Sequence, residues 1–300
     1  MLKLGKLFQF KLQLFKMTNP RHLLIMAGGA SSRMKNSLAQ HDLDQSTLEI
    51  AQRHHKCLIP VGKNKLPLLY YHLLQAKRVG VTQVFIITPE ENQGFYDFLD
   101  QEYIKTTFAS ISIKLIEQQL PAGAKKPLGT ANAVQQALDK APMLKEGSFV
   151  VMNGDNIYSV KSLEALFSLA TTQNALIGYD QEGLNFSRER LQKFALLKAN
   201  KEGFLTAIVE KPSQETMNAA RDYANKIRVS MNIFKLYGPS IYTFLENCPI
   251  DPIRKEKELP TAVQRFIQGN KEGFLLIPFC EHVPDLTSAQ DIDLLTQLPL

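Results

Sequence analysis

An unbroken apolar run, Leu23-Leu24-Ile25-Met26-Ala27, passes without a spacer into Gly28-Gly29-Ala30-Ser31-Ser32-Arg33-Met34. A run of this kind suits a strand buried on both faces, and such strands belong to parallel sheets with helices on each side. The small-residue turn adds a second constraint. Glycine lets the backbone approach a ligand closely, and successive backbone N–H groups in such a turn form an anion-binding nest. Arg33 then supplies a fixed positive charge and a planar fork matched to phosphate oxygens. The segment predicts a phosphate site at the C-terminal end of a first strand. The Gly-x-Gly-x-x-Gly dinucleotide pattern is absent, since the two glycines are adjacent and no third follows, and so is the Walker pattern ending in Gly-Lys-Ser/Thr. On its own, the segment is equally compatible with an ordinary Gly-Ser turn and a solvated Arg33, so the rest of the chain has to decide.

Further apolar strand candidates are Val84–Thr88, Ile111–Glu117, Phe149–Asn153 and Ala175–Tyr179. Helical periodicity separates several of them, over Leu68–Val79 (closed by Gly80) and over Thr130–Leu138 (opening after Gly129). This alternation predicts an α/β class with a Rossmann-like mixed, mostly parallel sheet and helices on both faces. Later, Phe194–Lys198 and Phe204–Val209 flank Asn200-Lys201-Glu202-Gly203, which predicts a hairpin. Arg228–Leu236 suits another strand, and Lys257–Gln268 and Ser288–Gln297 suit helices. A nucleotide-type half (21–180) thus precedes a mixed half (181–300). With no internal repeat or low-complexity linker between them, 21–300 is expected to be a single domain with one continuous sheet.

The net charge of +6 suggests a nucleic-acid partner until its distribution is considered. Lys3, Lys6, Lys11, Lys16 and Arg21, with no acid among them, account for nearly all of it. The body of the chain is close to neutral, so no nucleic-acid partner is expected. Cys57, Cys248 and Cys280 are far apart and odd in number, which fits neither a disulfide framework nor a zinc site. A reducing cytoplasm is the simplest compartment, and no apolar run approaches the length of a membrane span. Residues 1–16 alternate lysines with Leu and Phe, which leaves open a helix lying on a membrane surface. The favoured reading of residues 1–20 is a disordered or non-native extension, because Met17 stands just before Thr18-Asn19-Pro20 and the first strand. Residues 36–55 are polar and include His41, His54 and His55. They suit either a helical surface excursion around Ser46–Arg53 or a flap expected to cover the phosphate loop. No third partner at ligand spacing joins the histidines, so no metal is assigned there.

Four further segments carry chemistry. They are Lys56-Cys57-Leu58-Ile59-Pro60-Val61, Pro127-Leu128-Gly129-Thr130-Ala131, Val150-Val151-Met152-Asn153-Gly154-Asp155-Asn156 and Val209-Glu210-Lys211-Pro212. Together with Ala27-Gly28-Gly29-Ala30-Ser31-Ser32-Arg33-Met34, they resemble the motifs of the sugar-phosphate nucleotidyltransferases, in the family's order. The likeness runs from about Arg21 to the C-terminus. It is to a less characterised, NDP-sugar pyrophosphorylase-like branch. Each motif is short, but five in order at strand ends are hard to produce by chance.

The resemblance implies a GT-A-like nucleotidyltransferase fold. It also implies transfer of a nucleoside monophosphate from a nucleoside triphosphate to a sugar 1-phosphate, with release of pyrophosphate and formation of an NDP-sugar. By the same resemblance, Arg33, Lys56 and Asp155 are catalytic, and the loop residues Ala27, Gly28, Gly29, Ser31 and Ser32 hold the triphosphate. Gly129 and Thr130 lie against the base. Gln118 or Gln119 reads its edge, although two solvated glutamines remain an equal alternative. Asn156, Glu210, Lys211, Ser230 and Asn232 meet the sugar phosphate. Mg2+ is the implied cofactor, with Asp155 as a ligand and Asp285 as the second acid. The match at Asp285 is partial, because the family's following glycine is missing.

Other departures bear on the acceptor. His55 replaces a proline, the interval from Arg33 to Lys56 is longer than usual, and Ser230 stands where the family commonly has a sugar-contacting asparagine. Asn232, displaced by two, is expected on the same strand face. Two other functions stay in view. One is transfer to a non-sugar phosphate of the molybdopterin or methylerythritol type, against which the Glu210-Lys211-Pro212 segment and the chain length argue. The other is a non-catalytic nucleotide-sugar-binding module, against which Asp155 argues. The expected partners are small molecules, with no membrane; a homo-oligomer stays open.

Overall fold

Period-two alternation places the first strand between two cores. In the computed structural model, which describes residues 20–298 apart from 42 and 125, β1 (His22–Met26) sends Leu23 and Ile25 into one hydrophobic cluster and Leu24 into another. The amphipathic stretch 1–16 lies outside the described residues. After β1 come α1 (Ser32–Ser37) and α2 (Gln45–Arg53), then a small ribbon of β2 (Pro60–Val61) and β3 (Leu66–Pro67), and α3 (Leu68–Arg78). Next are β4 (Gln83–Thr88), α4 (Gln93–Asp100), α5 (Glu102–Thr107), β5 (Ser112–Glu117), α6 (Thr130–Lys140), α7 (Pro142–Glu146), β6 (Ser148–Asn153), α8 (Val160–Phe167) and β7 (Asn174–Asp180). The later part holds α9 (Arg188–Leu191), β8 (Leu196–Ala199), β9 (Leu205–Val209), α10 (Gln214–Asn218), β10 (Arg228–Tyr237), α11 (Gly238–Glu246), α12 (Leu259–Gly269), β11 (Phe274–Phe279) and α13 (Ala289–Thr296).

The main sheet has the order β11-β7-β10-β6-β1-β4-β5, and the β8–β9 hairpin is joined to it through β10. β1 is parallel to both β4 and β6, with Leu24 opposite Phe85 and Val151. β4 is parallel to β5 and β7 to β11, whereas β10 runs antiparallel to β6 and β7. The architecture is the α/β, mixed and mostly parallel sheet that the alternation predicts. Helices α3, α4, α5 and α8 cover one face through Leu73, Phe95, Ile104 and Leu163. Helices α6, α7, α11 and α12 cover the other through Val134, Leu144, Ile241 and Val263.

The chain runs outward from β1 to β4 and β5, then returns to β6 on the other side of β1. In sheets of this type the ligand crevice opens beyond the C-terminal strand ends at such a reversal. Here that point is the junction of two loops. Gly154 N donates to Met26 O at 2.9 Å, which ties the turn after β6 to the end of β1.

Three features differ from the sequence expectations. β11 is an additional parallel strand, signalled by the apolar run after Gly273; its Pro278 is tolerated because β11 lies at the sheet edge. The described residues of the segment 36–55 do not line the cleft at the strand ends. Its Leu38 and Ala51, with Met34, are buried against Ile292 and Leu295 of α13 in a third cluster, and the apolar face of the excursion is spent there. The hairpin strand β8 begins at Leu196 rather than Phe194, because residues 184–194 turn aside to build one wall of a cleft.

Candidate functional site

A cleft of about 1700 Å³ opens at the C-terminal ends of β1 and β6. It brings together Arg33, Thr130, Asp155, Asn156, Glu210, Lys211, Ser230, Asn232 and Asp285 from distant parts of the chain.

The loop after β1 is shaped by close packing and one left-handed residue. Ala27 N donates to Ile87 O at 2.8 Å. A Cβ on Gly28 would stand 2.8 Å from Gln118 Oε1, so a larger residue there would have to displace the Gln118 amide. Gly29 has open space around it. Ser31 takes φ 54°, ψ 26° just before α1, a combination that turns successive N–H groups toward one side. Its hydroxyl accepts from Lys56 N at 3.3 Å, which links the loop to the Lys56 turn. Ser32 and Arg33 are exposed, and Arg33 reaches the cleft.

Lys56 opens a 3-10 turn over Lys56–Leu58, and the His55 ring caps it by accepting from Cys57 N at 3.2 Å. That is what the residue in the proline position does here. Burial, helped by the Lys56 charge, lowers the His55 pKa to about 3, so the ring is neutral and free to accept. Lys56 Nζ donates to Asp155 Oδ2, with both side chains largely withdrawn from water. Burial pushes the Asp155 carboxyl up, but the adjacent Lys56 ammonium more than offsets this and holds it below the ordinary carboxylate range. Helix α3 supports the same turn from beneath. His72 Nε2 donates to Gly154 O at 3.0 Å, and Gln75 donates to Tyr158 O.

Asp285 is brought beside Asp155 by backbone pairing. Asn156 and Asp285 form an antiparallel bridge, Leu286 N donates to Asp155 O at 2.8 Å, and Ile157 N donates to Pro284 O at 2.9 Å. Burial and the charge of Asp155 push the Asp285 carboxyl up, while Arg190 and Thr287 draw it down. Among the described residues no cluster of three or more His, Cys, Asp or Glu suits a metal ion. Two adjacent acids with hard oxygen donors do fit Mg2+, which usually takes its remaining ligands from water and phosphate.

Gln118 and Gln119, the two candidates for reading a base, have different surroundings. Gln118 is buried against Gly28 and donates from Nε2 to Gly129 O at 3.2 Å. Gln119 is exposed, and its backbone is tied both ways to the Gln136 side chain. Gly129 has φ 102°, and a Cβ there would stand 2.5 Å from Lys257 O. Its need for glycine therefore comes from the segment leading into α12. Thr130 lines the cleft, with its hydroxyl accepting from Leu259 N at 2.8 Å.

Glu210 and Lys211, expected from the motif to meet the acceptor, follow β9 and line the cleft, Lys211 with φ 45°. Desolvation and the neighbouring Glu258 raise the Glu210 pKa. The two-residue displacement from Ser230 to Asn232 does not preserve a regular pleat. The β10–β7 register shifts between Ser230 and Phe234, and Asn232 sits at φ 58°. The bulge, rather than strand alternation, is what lets both line the cleft, with Ser230 Oγ accepting from Asn232 N at 3.1 Å.

Several cleft residues carry no motif. Arg190 and Phe186 come from the wall after β7, Asp291 from α13 and Arg254 from the loop before α12. Local signals are limited to helix caps, such as Ser187, which caps α9 by accepting from Arg190 N at 3.3 Å, and the Ser288–Asp291 box at the start of α13.

The sequence profile of the nucleotidyl transferase family matches residues 23–268. Among solved structures, the chain is similar to a UDP-glucose pyrophosphorylase complexed with UDP-glucose. The TM-score is 0.67 at 17% identity, covering 91% of this chain and 96% of that one. It is similar to an apo UDP-glucose pyrophosphorylase with a TM-score of 0.66, again at 17% identity and the same coverage. No curated protein sequence matches the chain.

Proposed function

The chain belongs to the nucleotidyl transferase family, and we propose that it joins a nucleoside triphosphate to a sugar 1-phosphate, releasing pyrophosphate and forming an NDP-sugar. The observation that carries this reading is the convergence, at the strand-order reversal, of the Gly28–Arg33 loop with Lys56, Asp155 and Asp285.

An oxygen of the acceptor phosphate attacks the α-phosphorus. A new P–O bond forms, the bond from the α-phosphorus to the bridging oxygen of the β-phosphate breaks, and pyrophosphate leaves with that electron pair. The nucleophile is already anionic, so no protein base is required, and positioning and charge neutralisation do the work. Loop N–H groups and Arg33 bind and orient the triphosphate. Lys56, held at the junction of the loop and Asp155, neutralises charge at the reacting phosphate. Asp155 and Asp285 would hold Mg2+, which when bound supplies further neutralisation of the phosphate oxygens. Gln118, whose amide carries both a donor and an acceptor, is the candidate for reading the base. Glu210 accepts hydrogen bonds from sugar hydroxyls, Lys211 meets the acceptor phosphate, and Asn156, Ser230 and Asn232 complete the sugar side.

The test is a pyrophosphate-release matrix of the common nucleoside triphosphates against sugar 1-phosphates, with UTP and glucose 1-phosphate as the first pair because of the two structural neighbours. Release is expected only with triphosphate, Mg2+ and acceptor together. Release without an acceptor, or nucleotide binding with no turnover across the panel, would overturn the reading. No helix among the described residues is long and apolar enough to cross a membrane. The free cysteines Cys57, Cys248 and Cys280 and a nucleotide substrate fit the cytoplasm.

A further inference from the structure

Arg190 stands on the short helix α9, 95 positions before Asp285, yet it reaches that acid twice. Its Nη2 donates to Asp285 Oδ2 at 2.9 Å and to the Asp285 main-chain oxygen at 3.1 Å. Its Nη1 donates to Asp291 Oδ1 at 2.7 Å, and its guanidinium lies over the Phe186 ring, 4.5 Å from the centroid.

Asp291 is itself fixed. Its Oδ2 accepts from Thr287 N at 2.9 Å, Ser288 N at 2.7 Å and Ser288 Oγ at 3.0 Å, closing a capping box at the start of α13. A planar fork pinned at one nitrogen by such an acid, and on one face by a ring, has little freedom in where it aims the other nitrogen. Thr287 Oγ1 donates to the same Asp285 oxygen, Oδ2, at 2.8 Å. Two donors therefore hold one oxygen. The other, Oδ1, takes no hydrogen bond among the described residues.

We propose that Arg190, anchored by Asp291 and assisted by Thr287, is a positioning residue that orients Asp285 so that Oδ1 is offered to a divalent cation shared with Asp155. This rests on the reading of Asp155 and Asp285 as the cation-holding pair. Both ends of the fork are committed to acids, which leaves Arg190 ill-placed to serve as a free ligand for substrate phosphate.

The test is Mn2+ binding to the full chain, followed by electron paramagnetic resonance with Mn2+ alone and with Mn2+ plus UTP. Arg190→Met keeps the stem and removes the fork; it is expected to weaken Mn2+ binding by about 10–100-fold, the usual effect of removing a group that orients a metal ligand. Arg190→Lys keeps the charge and loses the fork, and is expected to stay weakened. Thr287→Val, which removes the second donor, is expected to weaken binding less. Circular dichroism melts check folding, and the lysine and valine variants carry the test should the methionine variant fail to fold. Unchanged or tighter Mn2+ binding in the arginine variants, or full recovery with lysine, overturns the proposal. If wild-type protein binds no Mn2+, or binds it indifferently to Asp155→Asn, the acidic-pair reading falls and this proposal falls with it.

Discussion

Asp155 shares its buried corner with Lys56, whose ammonium holds the carboxyl below the ordinary carboxylate range. Asparagine at 155 would keep the shape of the site and delete the charge, leaving Lys56 facing a neutral amide. Asp155→Asn is therefore expected to lower turnover by at least about 10²–10³-fold, the scale on which removing one electrostatic stabiliser acts. Far-ultraviolet circular dichroism should remain that of the parent. Pyrophosphate release at saturating substrate measures it, and near-normal turnover would remove Asp155 from the chemistry. Residues of this sort are legible in the amino-acid sequence, because Arg33, Lys56, Asp155 and Glu210 each stand among their motif neighbours close to an apolar run or a turn. Arg190 is not. Its partners Asp285 and Asp291 lie 95 and 101 positions away, and nothing local distinguishes it from the exposed Arg188.

At the scale of elements, α3 shows how a helix can serve both core and site. Leu69, Leu73 and Ala76 pack into the sheet, while His72 and Gln75, three apart on the same helix, reach the turn after β6. His72→Leu should leave the Gly154 carbonyl without its donor, at a cost of about 1–3 kcal/mol for an unpaired buried group. The turn carrying Asp155 would lose its support, so turnover should fall at least about tenfold, given that ångström-scale misplacement costs up to 10²-fold. Urea melts and steady-state kinetics separate the two effects. A stability loss with unchanged turnover would show that His72 only packs. Helices and strands of this kind are readable because their periodicity is dictated by burial, which is local in sequence. The bulge at Asn232 and the burial of 36–55 against α13 are not. The first breaks the pleat on which period-two reasoning depends, and the second is decided by a helix from the far end of the chain.

For the molecule as a whole, the strand-order reversal at β1 is implicit in the spacing of apolar strands, since parallel strands joined by helices must return across the first strand to make a two-sided sheet. Buried histidines give the whole fold a predicted acid sensitivity. His72 lies between α3 and the turn after β6, and burial lowers its pKa from 6.5 to about 4, against the raising effects of Gly154, Asp155 and Gln75. His55, between the Lys56 turn and Phe95, is lowered to about 3 by burial and by Lys56 and Lys35, with Asp155 opposing. His22, at the start of β1, is lowered by burial. In each case the unfolded state takes up a proton near pH 6.5 that the folded state refuses. Stability is therefore constant above that range and falls as pH drops toward 4 and then 3, below which both states are protonated. Asp155, held low by Lys56, adds a loss in the same direction, whereas the raised carboxyls of Asp285 and Glu210 oppose it. The His72 and His55 shifts each correspond to roughly 3–5 kcal/mol. Urea midpoints in metal-free buffer should fall steadily from pH 7 to pH 4.5, and His72→Leu should make that slope shallower while already being less stable at pH 7. A midpoint that stays flat across this interval would mean that the buried rings are protonated in place and that the junction tolerates charge.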